Sequence, residues 1–120
     1  MMSDIFSAIE MLSQLISFDT TSSKSNKPMI NFISEVLDKH NISCNIGSNQ
    51  EGTKGDLIAT IGPMVEGGIV LSGHTDTVPV EGQNWDSDPF TLTQKNKLVF
   101  GRGSCDMKGF IAVILSLIPE

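Results

Sequence analysis

The sequence predicts an α/β domain in which helices pack on a sheet. Segments with the three- and four-residue apolar spacing of amphipathic helices alternate with short runs rich in β-branched residues, which is typical of layered α/β folds. The 120 residues suffice for one small domain, and a hydrophobic fraction of 39% is ordinary for a folded protein. We therefore treat residues 1–120 as a single folded unit.

Two helices are predicted in the first third of the chain. The first spans residues 4–17, with Asp4 as its N-cap. Its apolar face consists of Ile5, Ile9, Leu12 and Ile16. The second begins near Pro28, because proline is favoured at the first helical position, and ends at about His40, a helix-end residue. Its apolar face consists of Ile30, Ile33 and Leu37. The polar residues 20–27 between the two helices are interpreted as a surface loop.

Short strands and one apolar helix are predicted in the rest of the chain. Residues 42–46 and 57–61 are strand-like runs, each followed within a residue by glycine. Residues 68–72 form a β-branched run typical of a strand buried on both faces, and residues 97–100 form another short strand. Residues 107–117 are predicted as a helix that is apolar nearly all round and so requires cover on every side.

Charge and hydropathy exclude several classes of partner. Fourteen acidic and eight basic residues give a net charge of -6, without a basic cluster that would bind nucleic acid or an anionic membrane. The N-terminal residues do not have the pattern expected of a secretory signal, and the longest apolar run, residues 110–118, is too short to span a bilayer. We expect a cytoplasmic protein in which Cys44 and Cys105 are reduced thiols.

The first motif with residues suited to metal binding or catalysis is residues 72–79, which read SGHTDTVP directly after the predicted buried strand. Ligands of open α/β sheets bind at the carboxyl ends of strands. His74 and Asp76 are two residues apart, so in an extended chain their side chains point to the same side. An imidazole can bind zinc through one nitrogen while the other donates to a carboxylate that orients the ring. For this motif alone, a polar turn at a strand end stays an alternative.

The second motif, residues 101–109, reads GRGSCDMKG and places Asp106 between a predicted strand and the apolar helix. A carboxylate there can bridge two metal ions, and glycines allow the backbone to approach the site closely. Lys108 and Arg102 are expected to hold the loop by pairing with nearby carboxylates or backbone, in preference to contacting substrate.

A loop rich in large side chains connects the two motifs. Trp85 and Phe90 are interpreted as packing anchors. Asp86 and Asp88 are interpreted as turn-forming residues because Asp side chains readily bond to nearby backbone.

The sequence resembles a known family of zinc-dependent metallohydrolases. The resemblance rests on three features in the same order: the His-x-Asp motif, Trp85 with Pro89-Phe90, and the GRG and DMKG pair. The family includes acetylornithine deacetylase, succinyl-diaminopimelate desuccinylase, aminoacylases and carboxypeptidase G-like enzymes. The resemblance implies that residues 1–120 are the N-terminal portion of a zinc-exopeptidase-like catalytic domain, with helices packed on a mixed central sheet. The family's lid or dimerisation domain would be absent from this chain.

The resemblance also implies roles for particular residues. His74 would bind one zinc ion, Asp106 would bridge two, and Asp76 would be the catalytic partner that orients His74. The cofactors would be two Zn²⁺ ions, with Co²⁺ as an alternative. Cys105 would not be a ligand, and a cis peptide would follow Asp106. The general base, the first Glu of a Glu-Glu pair, and the other zinc ligands lie farther along in the family and are not in these 120 residues.

The implied reaction is hydrolysis of an N-acylated amino acid by a zinc-activated water in an enzyme that is a homodimer at full length. Thr77 and the Ser104-Cys105 pair look more like acetylornithine deacetylases than desuccinylases, which tend to have Val and Ala-Ala there. N-acetylornithine, cleaved to ornithine and acetate in arginine biosynthesis, is therefore the expected substrate. A desuccinylase or another aminoacylase or carboxypeptidase of the family stays an alternative. So does a truncated remnant without catalysis, and the 120 residues alone are expected to be inactive and to aggregate.

Overall fold

The predicted α/β class is confirmed in a computed structural model, which describes residues 6–118. The described residues form three helices and four strands. In chain order these are α1 (Ala8–Ile16), α2 (Lys27–Lys39), β1 (Cys44–Ser48), β2 (Gly55–Ala59), β3 (Thr93–Lys95), β4 (Leu98–Phe100) and α3 (Lys108–Leu117).

Helix α1 begins with a reciprocal cap. Ser7 Oγ accepts a hydrogen bond from Glu10 N at 3.2 Å, and Ser7 N donates to Glu10 Oε2 at 2.8 Å. The predicted N-cap, Asp4, lies outside the described residues. The face that α1 buries consists of Met11, Leu12, Leu15 and Ile16. Ile9 is 40% exposed, contrary to the prediction, because these four residues turn the buried face away from it.

Helix α2 confirms the predicted second helix. Proline stands in its first turn, and His40 is its C-cap residue. The predicted Ile30, Ile33 and Leu37 are buried, together with Met29 and Val36. The helix packs on the hairpin of β1 and β2.

Helix α3 confirms the predicted apolar helix and packs against α1. Ala112 and Leu115 lie in the core that α1, α2 and α3 share. Phe110, Val113 and Leu117 are exposed, so the described residues do not cover this helix on every side as its sequence requires.

The four strands form two separate antiparallel pairs. Strand β1 pairs with β2 and strand β3 with β4, so the described strands form two small sheets in place of the expected mixed central sheet. Strand β1 begins two residues later than the predicted run 42–46, and β2 begins two residues earlier than the predicted run 57–61. Strand β4 begins one residue after the predicted start at residue 97.

The predicted buried strand at residues 68–72 is wrong for the described structure. These residues adopt no regular secondary structure, and Ile69 and Val70 are 88% and 91% exposed. A strand needs hydrogen-bonding partners along its edges, and within residues 6–118 no strand pairs with this run.

None of the helices in residues 6–118 combines the length and apolar character needed to cross a bilayer.

Candidate functional site

The histidine segment, residues 74–77, is held by the anchoring loop, residues 19–26, which joins α1 to α2. Thr77 N donates to Thr20 O at 3.0 Å, and Ser22 N donates to Thr77 O at 3.0 Å. Thr20 and Thr77 are both buried. The interpretation of residues 20–27 as a surface loop is therefore corrected, because part of the loop pairs with the histidine segment and is buried by it.

The glycine loop, residues 101–107, brings Asp106 to the same place. Gly103 has a φ of +86°, and a Cβ added there would lie 2.8 Å from Thr77 Cγ2. Glycine is thus required both by the backbone conformation and by the close approach of the two segments. The peptide bond between Asp106 and Met107 is cis, which confirms the expectation drawn from the resemblance.

The two segments bring the three predicted site residues together. His74 Nε2 lies 2.8 Å from Asp106 Oδ1. On the other side of the ring, His74 Nδ1 lies 3.2 Å from Asp76 Oδ1 and 3.0 Å from the Asp76 carbonyl oxygen. The imidazole is therefore held between two carboxylates, and each ring nitrogen has its own partner.

Hydrogen bonding determines the electrostatics of this group. The bond to the Asp106 carboxylate raises the pKa of His74, although partial burial opposes the shift. Ser22 Oγ donates to Asp76 Oδ2 at 2.6 Å, and this bond is the main reason why the pKa of Asp76 is lowered. Asp76 is thereby favoured in the ionised form that can accept the proton on His74 Nδ1.

An open cleft of about 250 Å³ lies beside these side chains. Its lining includes His74, Asp76, Arg102, Ser104, Cys105 and Asp106. The side chain of His74 is 47% exposed and that of Asp106 85% exposed. The face where the imidazole meets the Asp106 carboxylate is therefore open to a ligand.

The donor atoms fit a metal ion in part. His74 Nε2 and the Asp106 carboxylate face each other, and Asp76 holds the other ring nitrogen, as is usual for a metal-binding histidine. Among residues 6–118 there is no group of three or more His, Cys, Asp or Glu side chains that would hold a metal ion. Cys44 and Cys105 are both free thiols. Cys105 is exposed, and Cys44 is partly buried.

The loop between the motifs packs around Arg102. The guanidinium lies 5.2 Å from the centroid of the Trp85 ring, and its nitrogen donates to Pro79 O and to Gln83 Oε1. Arg102 therefore holds the loop, as predicted. Asp88 accepts from Phe90 N at 2.9 Å, which confirms it as a turn-forming residue.

Lys108 fastens the glycine loop to helix α1. Its side chain is completely buried, and Nζ donates to Leu15 O at 3.0 Å and Phe18 O at 2.7 Å. Burial lowers the pKa of Lys108 to about 8. This confirms the prediction that Lys108 holds the loop by pairing with backbone.

The sequence did not indicate the part played by the anchoring loop. Ser22 and Asp76 are 54 positions apart, and Thr20 Oγ1 reaches the carbonyl of Thr75 over a similar separation. Neither local spacing nor hydrophobic periodicity signals such pairs. Asn26, buried and bonded to Thr75 Oγ1, occupies the N-cap position of α2, which is the one local signal for this loop.

Comparison with known proteins places the two motifs in one family. Residues 70–120, which include both, match the description "Peptidase family M20/M25/M40". This match agrees with the resemblance seen in the motifs themselves.

Curated relatives extend the similarity over nearly the whole chain. An acetylornithine deacetylase of Buchnera aphidicola subsp. Schizaphis graminum (strain Sg) is 39% identical over 124 residues, which covers 98% of this chain and 32% of the relative. An acetylornithine deacetylase of Proteus mirabilis (strain HI4320) is 40% identical over 120 residues, covering 93% of this chain and 30% of the relative. The chain thus spans about a third of the length of these relatives.

Proposed function

We propose that this chain supplies part of the active site of a zinc-dependent amidohydrolase that deacetylates N-acetylornithine. The observation that carries the proposal is the pairing of His74 Nε2 with Asp106 Oδ1 at 2.8 Å on the open side of the cleft. Imidazole nitrogen and carboxylate oxygen are both common ligands of catalytic zinc.

Each of the three residues has a distinct part in the proposal. His74 would hold zinc through Nε2, and Asp106 would hold it through its carboxylate, which would also serve a second ion. Asp76 accepts the proton on His74 Nδ1, which keeps Nε2 unprotonated and aimed at the ion. Bound zinc supplies Lewis acidity and a water whose pKa is lowered to about 7.

The substrate is inferred from the relatives and from two positions near the site. The relatives compared are named acetylornithine deacetylases. Thr77, which is buried beside the glycine loop, and Ser104-Cys105 in the cleft lining are the residues that favour this member of the family. In the zinc-loaded enzyme, kcat/KM for N-acetylornithine is expected to exceed that for N-succinyl-diaminopimelate. The reverse order would favour the desuccinylase.

The 120 residues by themselves are expected to be inactive. The described residues bring together the His74 imidazole and the Asp106 carboxylate as candidate ligands, whereas catalytic zinc usually has three protein ligands. We therefore expect weak zinc binding and no hydrolysis of N-acylamino acids by this chain alone.

A chimera tests the proposal directly. Residues 1–120 would replace the aligned segment of the Proteus mirabilis deacetylase, and zinc content and N-acetylornithine hydrolysis would be measured. The chimera should be active, and His74→Ala and Asp106→Ala should each lower bound zinc and abolish turnover. His40→Ala, which removes the histidine at the end of α2, is the matched control and should leave both unchanged. A folded chimera without activity would support the non-catalytic alternative, and full activity of either site variant would refute the assigned roles.

A further inference from the structure

A chain of hydrogen bonds runs from the anchoring loop to the imidazole. Ser22 Oγ donates to Asp76 Oδ2 at 2.6 Å, and Asp76 Oδ1 lies 3.2 Å from His74 Nδ1. The two oxygens of one carboxylate thus face Ser22 and His74 respectively. A carboxylate bonded through one oxygen loses rotational freedom, so the hydroxyl influences where the other oxygen points.

The hydroxyl of Ser22 has two acceptors within reach but a single proton. Asp76 Oδ2 lies at 2.6 Å and the carbonyl oxygen of Thr77 at 3.3 Å. The shorter contact is also the one to an ionised group, and hydrogen bonds to charged acceptors are the stronger ones. The proton therefore goes to Asp76.

The position of the anchoring loop does not depend on this hydroxyl. The backbone of Ser22 donates to Thr77 O at 3.0 Å, and Thr20 and Asn26 bind the neighbouring Thr75 through their side chains. Removing the hydroxyl alone leaves these bonds in place. Its loss should therefore affect the Asp76 carboxylate far more than the fold.

From this geometry we infer that Ser22 is a positioning residue of the site, which orients His74 for metal binding by fixing the Asp76 carboxylate. The inference rests on the proposed function, in which His74 is a zinc ligand. It adds to the site a residue of the anchoring loop, outside both sequence motifs.

Zinc binding by the purified 120-residue chain tests the inference. Calorimetric titration with Zn²⁺ should give a dissociation constant for Ser22→Ala that is about threefold to tenfold higher than for the unmodified chain. This is less than the roughly 10–100-fold expected for Asp76→Asn, because Ser22 is one hydrogen bond farther from the ligand. Ser22→Thr retains the hydroxyl and should bind as the unmodified chain does. Ser23→Ala removes a hydroxyl from the next, exposed position and is the matched control.

A second measurement needs no metal. NMR relaxation of the His74 ring in the metal-free chain should show greater ring motion in Ser22→Ala and Asp76→Asn. The two changes together should have no more effect than Asp76→Asn alone, since Ser22 acts through Asp76. If Ser22 instead had a purely structural role, Ser22→Ala would increase ring motion by the same amount with Asp76 and with Asn at position 76.

The outcomes separate the two proposals. If zinc binding is unaffected by His74→Ala while ring motion still responds to Ser22→Ala, the proposed function fails and the positioning role of Ser22 stands. If zinc binding depends on His74 but Ser22→Ala matches the Ser23→Ala control in both measurements, the inference is overturned. Melting curves of each variant check that all of them are folded.

Discussion

Lys108, two residues after Asp106, places a charged side chain in the interior. Its ammonium donates to Leu15 O and Phe18 O at the end of α1, so it complements the negative end of that helix. The same burial lowers the pKa of Lys108 to about 8. Two effects therefore oppose each other: hydrogen bonds to carbonyl oxygens stabilise the fold, and desolvation of the charge destabilises it.

Replacing Lys108 with methionine tests which of these two effects on stability is larger. Lys108→Met keeps the apolar stem but removes the donors, so it should lower the free energy of unfolding by about 1–3 kcal/mol at neutral pH. Lys95→Met, in exposed β3, should change it by less than about 0.5 kcal/mol. Urea unfolding followed by circular dichroism measures both. A variant as stable as the unmodified chain would show that desolvation cancels the hydrogen bonds.

The roles of single residues were predictable to the extent that a motif places them. His74, Asp76 and Asp106 are brought together as their two motifs indicated. Ser22 and Thr20 were not predictable, because their partners lie more than fifty residues away and depend on how α1 directs the chain past the histidine segment. Hydrogen bonds of that range have no signature in local sequence.

At the level of elements, the glycine loop must pass close to the histidine segment, and Gly103 is where they meet. Gly103 and Gly82 have similar positive φ values, +86° and +77°. A Cβ at Gly82 would meet nothing within 4 Å, whereas one at Gly103 would lie 2.8 Å from Thr77 Cγ2 and 3.2 Å from Lys108 Cδ. The two glycines thus share the conformational requirement and differ in the space around them.

This pair gives a controlled prediction. Gly82→Ala should cost only the left-handed backbone penalty, about 1 kcal/mol of unfolding free energy. Gly103→Ala should cost roughly 2–4 kcal/mol, because overpacking adds to that penalty. Thermal and urea unfolding measure the difference. Equal losses at both positions would mean that the glycine loop can move away from Thr77 at little cost.

Elements were predictable where their stabilisation is local. The helices follow from apolar periodicity and end residues, and α2 and α3 lie where these signals placed them. Residues 68–72 have the composition of a buried strand, but a strand also needs partners, which the described residues do not supply. Strand β3 was not predicted because its residues 93–95 are all polar, whereas the equally short β4 consists of apolar residues.

For the molecule as a whole, many large apolar side chains of the described residues lie exposed, outside the core. The core is built mainly from α1, α2 and one side of α3, while two apolar segments lie open. One is residues 68–72 and the other is the outer face of α3, with Phe110, Val113 and Leu117. Gly73, which follows the first segment, faces Met107 and Ile111. Leu115 of the same helix is buried in the core.

Such a surface should make the isolated chain associate. Large uncovered apolar patches drive proteins together, so sedimentation velocity should show species that grow with protein concentration. Replacing Ile69 and Val70 by lysine should weaken association, because it puts two charges at the most exposed apolar positions. Replacing Met64 and Val65 by lysine is the matched control, since it adds the same charge at exposed apolar residues outside the two segments, and should weaken association less. If both pairs act equally, net charge and not this surface controls association; a chain that stays monomeric at high concentration would contradict the prediction outright.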